Sequence, residues 1–375
     1  EEALAPKLAE HSDAIHLDPA LFARVKTLYD QRDTLGLDAE QRTVLEHTHD
    51  GFVRAGALLN DADKAELRKL NAESSTLSTA FGNKLLAASN AGGVFVTDVA
   101  ELDGLDAGAI AAAADAAKAA GKDGQWLLTL QNTTQQPVLA SLKNRALRER
   151  VLAASTGRAE KGDANDTRAT IQRLAELRAR QAQLLGFPNY AAYSIADQMA
   201  KTPEAALKLL TDTVPAATAR ARAELAKIQG VVDAQNGGFT AGAADWDFYA
   251  EQVRKAEFDL DESQIKPYFE LDRVLNDGVF FAANQLYGIT AKERKDIPVY
   301  HPDVRVFDIF DADGKQLALF YLDPFKRDSK QGGAWMGNFV EQNGLTGTIP
   351  VVYNVENFTK PAAGQPALLS FDDVT

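Results

Sequence analysis

The chain has no cysteine. Disulfide scaffolds, thiolate metal sites and cysteine nucleophiles are therefore excluded, and this absence suits cytosol and periplasm equally. Histidine is scarce as well, with five in 375 residues: His11, His16, His47, His49 and His301. No H-E-x-x-H occurs, nor a Walker-type phosphate loop, a dinucleotide G-x-G-x-x-G or a G-x-S-x-G nucleophile elbow. No apolar run approaches the roughly 20 residues that span a bilayer. Positive charge is in deficit: 40 Lys and Arg stand against 53 Asp and Glu, giving a net charge of -13. Such a surface repels phosphate backbones and anionic headgroups, so neither nucleic acid nor membrane is an expected partner. The first residues have neither a basic segment nor an apolar core, so a secretory leader would have to precede Glu1. The cytoplasm is the expected compartment.

What is present is an ordinary globular balance, 45% apolar and 25% charged residues. At this length one compact core is too small a container, and two lobes are expected. Helical signals dominate. Asn60 and Asp61 precede an amphipathic stretch with Leu67, Leu70, Leu77, Phe81 and Leu85 on one face. Ala111 to Ala120 is an alanine-rich helix stopped by Gly121. It lies between two short strand candidates, Val94 to Val96 and Trp126 to Leu130. Residues from Gln136 to Leu185 read as helix again, broken by a turn at Lys161 to Asp166. Asn189 caps the next helix. Thr202-Pro203 starts another that runs to about Gln235, where Asn236-Gly237-Gly238 ends it. After about Pro298 the pattern changes. Val304 to Ile309 alternates as a half-buried strand, Asp311 to Gly314 is a tight turn, Leu317 to Leu322 returns, and Thr348 to Tyr353 is a further strand.

The histidines carry no metal-site signal. His47 and His49, two residues apart on a helix, point to different faces and suit a solvated surface. His11 and His16 flank Asp13 on an expected loop. His301 precedes Pro302 at the start of a strand, where a structural role is expected. No carboxylate pair stands out for acid–base work by spacing.

Four stretches resemble segments of one family. Leu184-Leu185-Gly186-Phe187-Pro188-Asn189-Tyr190-Ala191-Ala192-Tyr193 is the first. Trp246-Asp247-Phe248-Tyr249, continuing through Phe258-Asp259-Leu260-Asp261-Glu262 to Tyr268-Phe269, is the second. The third is Tyr321-Leu322-Asp323 with Arg327 and Lys330, then Gly332-Gly333-Ala334-Trp335-Met336. The last comprises Asn357-Phe358-Thr359, Pro361, Pro366-Ala367-Leu368-Leu369 and Phe371-Asp372-Asp373-Val374. In this order and spacing they resemble the M3 zinc oligopeptidases, nearest to the dipeptidyl carboxypeptidase type.

The resemblance implies a mainly α, two-lobed metallopeptidase fold with a small antiparallel sheet at the cleft. Residues 1–200 would form a helical lobe with a small α/β insertion near 92–130. Residues 201–375 would add a helical segment and the sheet, at about 300–355. In the family the last segment leads to H-E-F-G-H, which supplies two zinc ligands and the general base that activates water against a peptide carbonyl. That motif is not in this sequence. Zinc ligands and catalytic residues are thus expected in the rest of a longer parent protein, and this stretch alone is expected neither to hold catalytic zinc nor to cleave peptides. Ser370-Phe371-Asp372-Asp373 supports that expectation, because it has the form of a capping box with almost no helix after it. The partners implied are short peptides, cleaved with release of C-terminal dipeptides, and the remaining C-terminal part of the same protein. Gly332, Gly333, Ala334, Trp335 and Gly337 would form an edge strand that accepts a peptide backbone. Arg327 would contact a substrate carboxylate or serve as a structural cation. Without the resemblance, a non-catalytic helical binding or scaffold protein fits the same sequence.

Overall fold

The computed structural model describes residues 2–130, 136–258, 262–361 and 364–374. Asp259, Leu260 and Asp261, part of the second matched segment, lie outside the described residues. The chain is mainly α and divides into two compact units, each assembled from two segments. One comprises Glu1–Ala88 with Ala159–Arg222, the other Ser89–Arg158 with Ala223–Thr375. The division read from sequence was a single cut near residue 200.

In the first unit several helices begin where the sequence offers a short acceptor side chain. Helix α1 is Ala5–His16, α2 Pro19–Asp30, α3 Ala39–Arg54 and α4 Asp61–Ala91. Asp18 accepts the amides of Ala20 and Leu21, Asp38 that of Gln41, and Asn60 that of Asp63. Phe22, Phe52 and Ala57 are buried between α2, α3 and the turn after α3. Arg173 and Arg180, on the helix Arg168–Leu184, make two-pronged contacts with Glu73 and Glu66 of α4. His11 and His16 fall on helix α1, not on a loop: Pro6 sits in its first turn and Asp13 is buried against Asn71. His49 is also packed rather than solvated, its ring stacked on Tyr29 with centroids 3.7 Å apart. His47 is exposed.

In the second unit, β1 (Val94–Val96) pairs antiparallel with β2 (Trp126–Leu128), and α5 (Ala107–Ala119) lies between them in sequence. Leu102, Leu130, Leu142, Leu147 and Val151 close this core. A buried ionic knot joins the helix Arg145–Thr156 to the start of the helix Trp246–Phe258. Asp245, with no exposed surface, accepts from Arg148 at 2.7 Å and from Arg145 at 3.1 Å, and Arg148 also donates to the Ala244 and Leu142 carbonyls. Trp246 and Tyr249 pack beside it in the core.

The larger sheet has the order β3-β4-β5-β7-β6, formed by Thr290–Arg294, Arg305–Phe310, Gln316–Phe325, Val351–Phe358 and Trp335–Val340. Strands β4 and β5 form the expected hairpin, closed by Gly314 in the left-handed region. The sheet is nevertheless mixed, not wholly antiparallel, and it starts ten residues earlier than expected. β7 pairs parallel with β5, Leu319 facing Val351 through Asp323 facing Val355. It then pairs antiparallel with β6 on its other side. The physical reason is order of assembly: β7, last in sequence, lies between two strands that precede it.

The ionic knot gives a direct test. Asp245→Ala leaves two guanidinium groups facing a buried site without a counter-charge. It is expected to cost about 3–5 kcal/mol, read from the denaturant midpoint.

Candidate substrate edge

Because β7 lies between β5 and β6, the connection from β5 to β6 must cross about two strand spacings, some 9–10 Å, over the end of β7. Residues 326–334 make that crossing and form a strap. Lys326 N–H donates to the Phe358 carbonyl at 3.0 Å, anchoring its start on the end of β7. Below it sits Asp323, 1% exposed, near the C-terminal end of β5. The Arg327 guanidinium grips both Asp323 oxygens, at 2.7 and 2.8 Å. The Tyr300 hydroxyl donates to the same carboxylate at 3.0 Å. Lys330, 8% exposed, places its ammonium on Asp323 Oδ1 at 3.2 Å and on the carbonyls of Asp323, Phe325 and Glu356.

Burial pushes the Asp323 carboxyl up, but Arg327, Lys330 and Tyr300 together bring it below the usual carboxylate range. Burial lowers Lys330, and Asp323 offsets part of that. Tyr300 is pushed up to about 12 by burial and by the adjacent Asp323 charge. Glu356 has the opposite fate: burial raises its carboxyl to about 7 against the pull of Lys330. Its Oε2 has no hydrogen-bond partner among the described residues.

The glycines of the strap divide into two kinds. Gly332, Gly333 and Ala334 precede the strand rather than forming part of it; β6 begins at Trp335. Gly333 has φ 91°, a backbone angle that L side chains rarely adopt and that no strand tolerates. Valine there would therefore strain the backbone, although the space around the site is open. Gly337 lies within β6 opposite Tyr353, and an added Cβ would come 2.5 Å from the Tyr353 hydroxyl oxygen. Its lack of a side chain makes room for that ring, which also packs on Phe339 with centroids 4.6 Å apart. Trp335 is 41% exposed and Met336 80%, so neither is a core residue. β6 hydrogen-bonds β7 on one side, and among the described residues no strand pairs with its other side.

Gly332, Gly333, Ala334, Trp335 and Gly337 are thus brought into one exposed segment, strap followed by open edge. Arg327 is not part of that surface, because its fork is engaged with Asp323. His301 stays structural: its Nδ1 accepts the Asp303 amide at 3.3 Å. Among the described residues no three His, Cys, Asp or Glu side chains are grouped to hold a metal, and no helix is long and apolar enough to cross a membrane.

The family model described as Peptidase family M3 matches residues 138–375. The chain belongs to peptidase family M3. Its M3 relatives include the dipeptidyl carboxypeptidase of Escherichia coli strain K12, 59% identical over 374 residues that cover 100% of this chain and 55% of that protein. The dipeptidyl carboxypeptidase of Salmonella typhimurium is 57% identical over the same span. Oligopeptidase A of E. coli is 34% identical over 380 residues, with 56% of that protein covered. The chain spans little more than half the length of these relatives.

The sequence pointed to an edge strand from Gly332 to Gly337 but gave no role to Asp323, Tyr300, Asn357 or Glu356. One signal was available for Asp323: an acid inside an otherwise apolar strand, Leu317 to Leu322 and onward, requires a buried cation. Glu356 offers no comparable signal, since it occupies a polar position of a half-buried strand.

Two outcomes follow for this M3 site. Gly337→Ala forces Tyr353 to shift and is expected to destabilise the protein by about 1–3 kcal/mol, measured by denaturant unfolding. For Glu356 the folded carboxyl titrates near 7 and the unfolded one near 4.5. Between those values the folded state holds the proton more tightly, so stability falls as pH rises through this window. Glu356→Gln is expected to remove that fall. Discounting for partial exposure, it gains roughly 1–2 kcal/mol at pH 8 relative to pH 5, read from melting curves at both values.

Proposed function

We propose that this chain forms the substrate-aligning part of a zinc metallopeptidase that hydrolyses short peptides and releases C-terminal dipeptides. The observation that carries the reading is the open edge of β6, preceded by the Gly332–Ala334 strap, in a member of family M3. A peptide backbone laid along that edge extends the sheet by one strand. Each added backbone hydrogen bond contributes a net of about 1 kcal/mol, so three give roughly a hundredfold in affinity without reading any side chain. That is the recognition a peptidase of broad sequence range requires. Exposed Trp335, Met336 and Phe339 would supply apolar contacts to alternate substrate side chains.

The similarity to two dipeptidyl carboxypeptidases supports the finer part of the reading, release of dipeptides from the C-terminal end. Zinc is the metal that the family resemblance implies. The described residues do not fit it, since they offer no grouped ligand set, and no reaction step is assigned to it from this structure. The metal ligands and the general base are proposed to come from sequence outside residues 1–375, a view supported by the length of the relatives.

The competing reading, a non-catalytic helical scaffold, rests on that same lack of ligands. Metal analysis of the full-length protein, with mass spectrometry of the products from short peptides, separates the two. The expected result is stoichiometric zinc and successive loss of dipeptides from the C-terminus. Loss of single residues, loss from the N-terminus, or a metal-free protein with no turnover would overturn the proposal.

A further inference from the structure

The strap poses a mechanical problem. Two consecutive glycines, one with positive φ, are the most freely rotating stretch a chain can have, and fixing them costs more conformational entropy than fixing other residues. A substrate that had to order this segment on arrival would lose binding free energy to that ordering. The structure shows what orders it beforehand. The Asn357 side chain, at the end of β7, donates through Nδ2 to the Gln331 carbonyl at 2.9 Å and also to the Gly333 carbonyl. One amide thus brackets Gly332 from both sides and fixes the bend that delivers Trp335 into β6. One turn earlier, the Lys330 ammonium ties the middle of the strap to carbonyls at the ends of both strands it crosses, Phe325 of β5 at 2.8 Å and Glu356 of β7. The Asn90 side chain holds the Asp328 carbonyl between them at 3.0 Å.

We propose that Asn357 and Lys330 are positioning residues that lock the strap before substrate arrives, so that peptide meets an edge already in register. The inference rests on the reading of β6 as the substrate edge. Neither residue need touch the peptide. Asn357 acts on the Gly332–Gly333 bend and Lys330 on the strap as a whole, with Asp323 as its buried counter-charge. Because the locked strap meets substrate and transition state with the same backbone, it contributes uniform binding: losing it raises KM and leaves kcat nearly unchanged.

The test uses the full-length protein. Lys330→Met is the obvious variant, but it strips a cation from buried Asp323 and is expected to fold poorly. Asn357→Asp is the informative one. It keeps the size of the side chain, removes the donor and faces two carbonyl oxygens with negative charge, at a half-buried site. The expected result is a KM for short peptides raised about tenfold, the equivalent of one or two lost hydrogen bonds, with kcat changed less than about twofold and an unchanged melting temperature. Hydrogen exchange of residues 335–340 is followed in parallel, with and without a short peptide carrying one reduced, non-hydrolysable bond. Slower exchange in the unsubstituted protein with peptide bound supports the edge. Weaker slowing in Asn357→Asp supports the lock. No slowing in the unsubstituted protein would overturn the edge reading, and the lock with it. Slowing in the unsubstituted protein, with normal KM in the variant, would overturn the lock alone. A variant that loses kcat and thermal stability together would show a purely structural residue and would also overturn it.

Discussion

β7 runs between β5 and β6 although it follows both in the chain, and much of the functional half of the molecule answers to that placement. A strand wedged between two others forces their connection to pass over its end. The connection must then be long enough to cross, and it needs anchors because it has no ladder of its own. Asp323, Arg327, Lys330 and Asn357 are those anchors, all at the same end of the sheet. The wedge also moves β6 out to the rim, where among the described residues no strand pairs with its outer backbone. An antiparallel meander of the same strands would have joined β5 to β6 with a tight turn and buried that edge.

The buried charges here are paid for by geometry. Asp323 is almost wholly enclosed, and its isolated carboxylate would be strongly disfavoured there. A bidentate guanidinium, an ammonium and a phenol satisfy its lone pairs, and the ammonium in turn donates to the carbonyls of Asp323, Phe325 and Glu356. Glu356, whose backbone carbonyl meets the Lys330 ammonium, has no donor on its side-chain Oε2 among the described residues, and burial raises its carboxyl toward neutrality instead. Two carboxyls a few residues apart across adjacent strands thus take opposite protonation habits, set by how many donors point at each.

Much of the helical part was legible in the sequence because each start is written locally. Asn60, Asn189 and Thr202 cap their helices as their position in the sequence suggested. The hairpin turn at Asp311 to Gly314 was equally local. The capping box at Ser370 forms as written, Ser370 and Asp373 exchanging bonds. What was not legible is non-local. Nothing in residues 351–358 says that they insert between earlier strands, so the sheet was read as antiparallel. His49 was read as solvated because its partner, Tyr29, comes from another helix. Gly333 was assigned to a strand because a glycine reveals that its angle is free, not which angle it takes. The edge was found through resemblance to family M3, and the anchors only through contacts such as Tyr300 with Asp323 and Asn357 with Gln331, 23 and 26 positions apart.

The open edge of β6 has a cost unrelated to catalysis. Its residues, Trp335 to Val340, include no proline and no lysine, the two devices by which exposed edges usually refuse a neighbour. Trp335, Met336 and Phe339 add exposed apolar surface on both of its faces. To another copy of the same molecule, this edge offers the same unpaired backbone that a peptide would use. Glu341 directly after the strand and an overall charge of -13 oppose such pairing, but at physiological salt that repulsion reaches only about 8 Å. Colloidal behaviour is therefore tied to ionic strength: concentrated, salty solutions favour sheet-to-sheet association through β6, and an occupying peptide would act as a solubiliser.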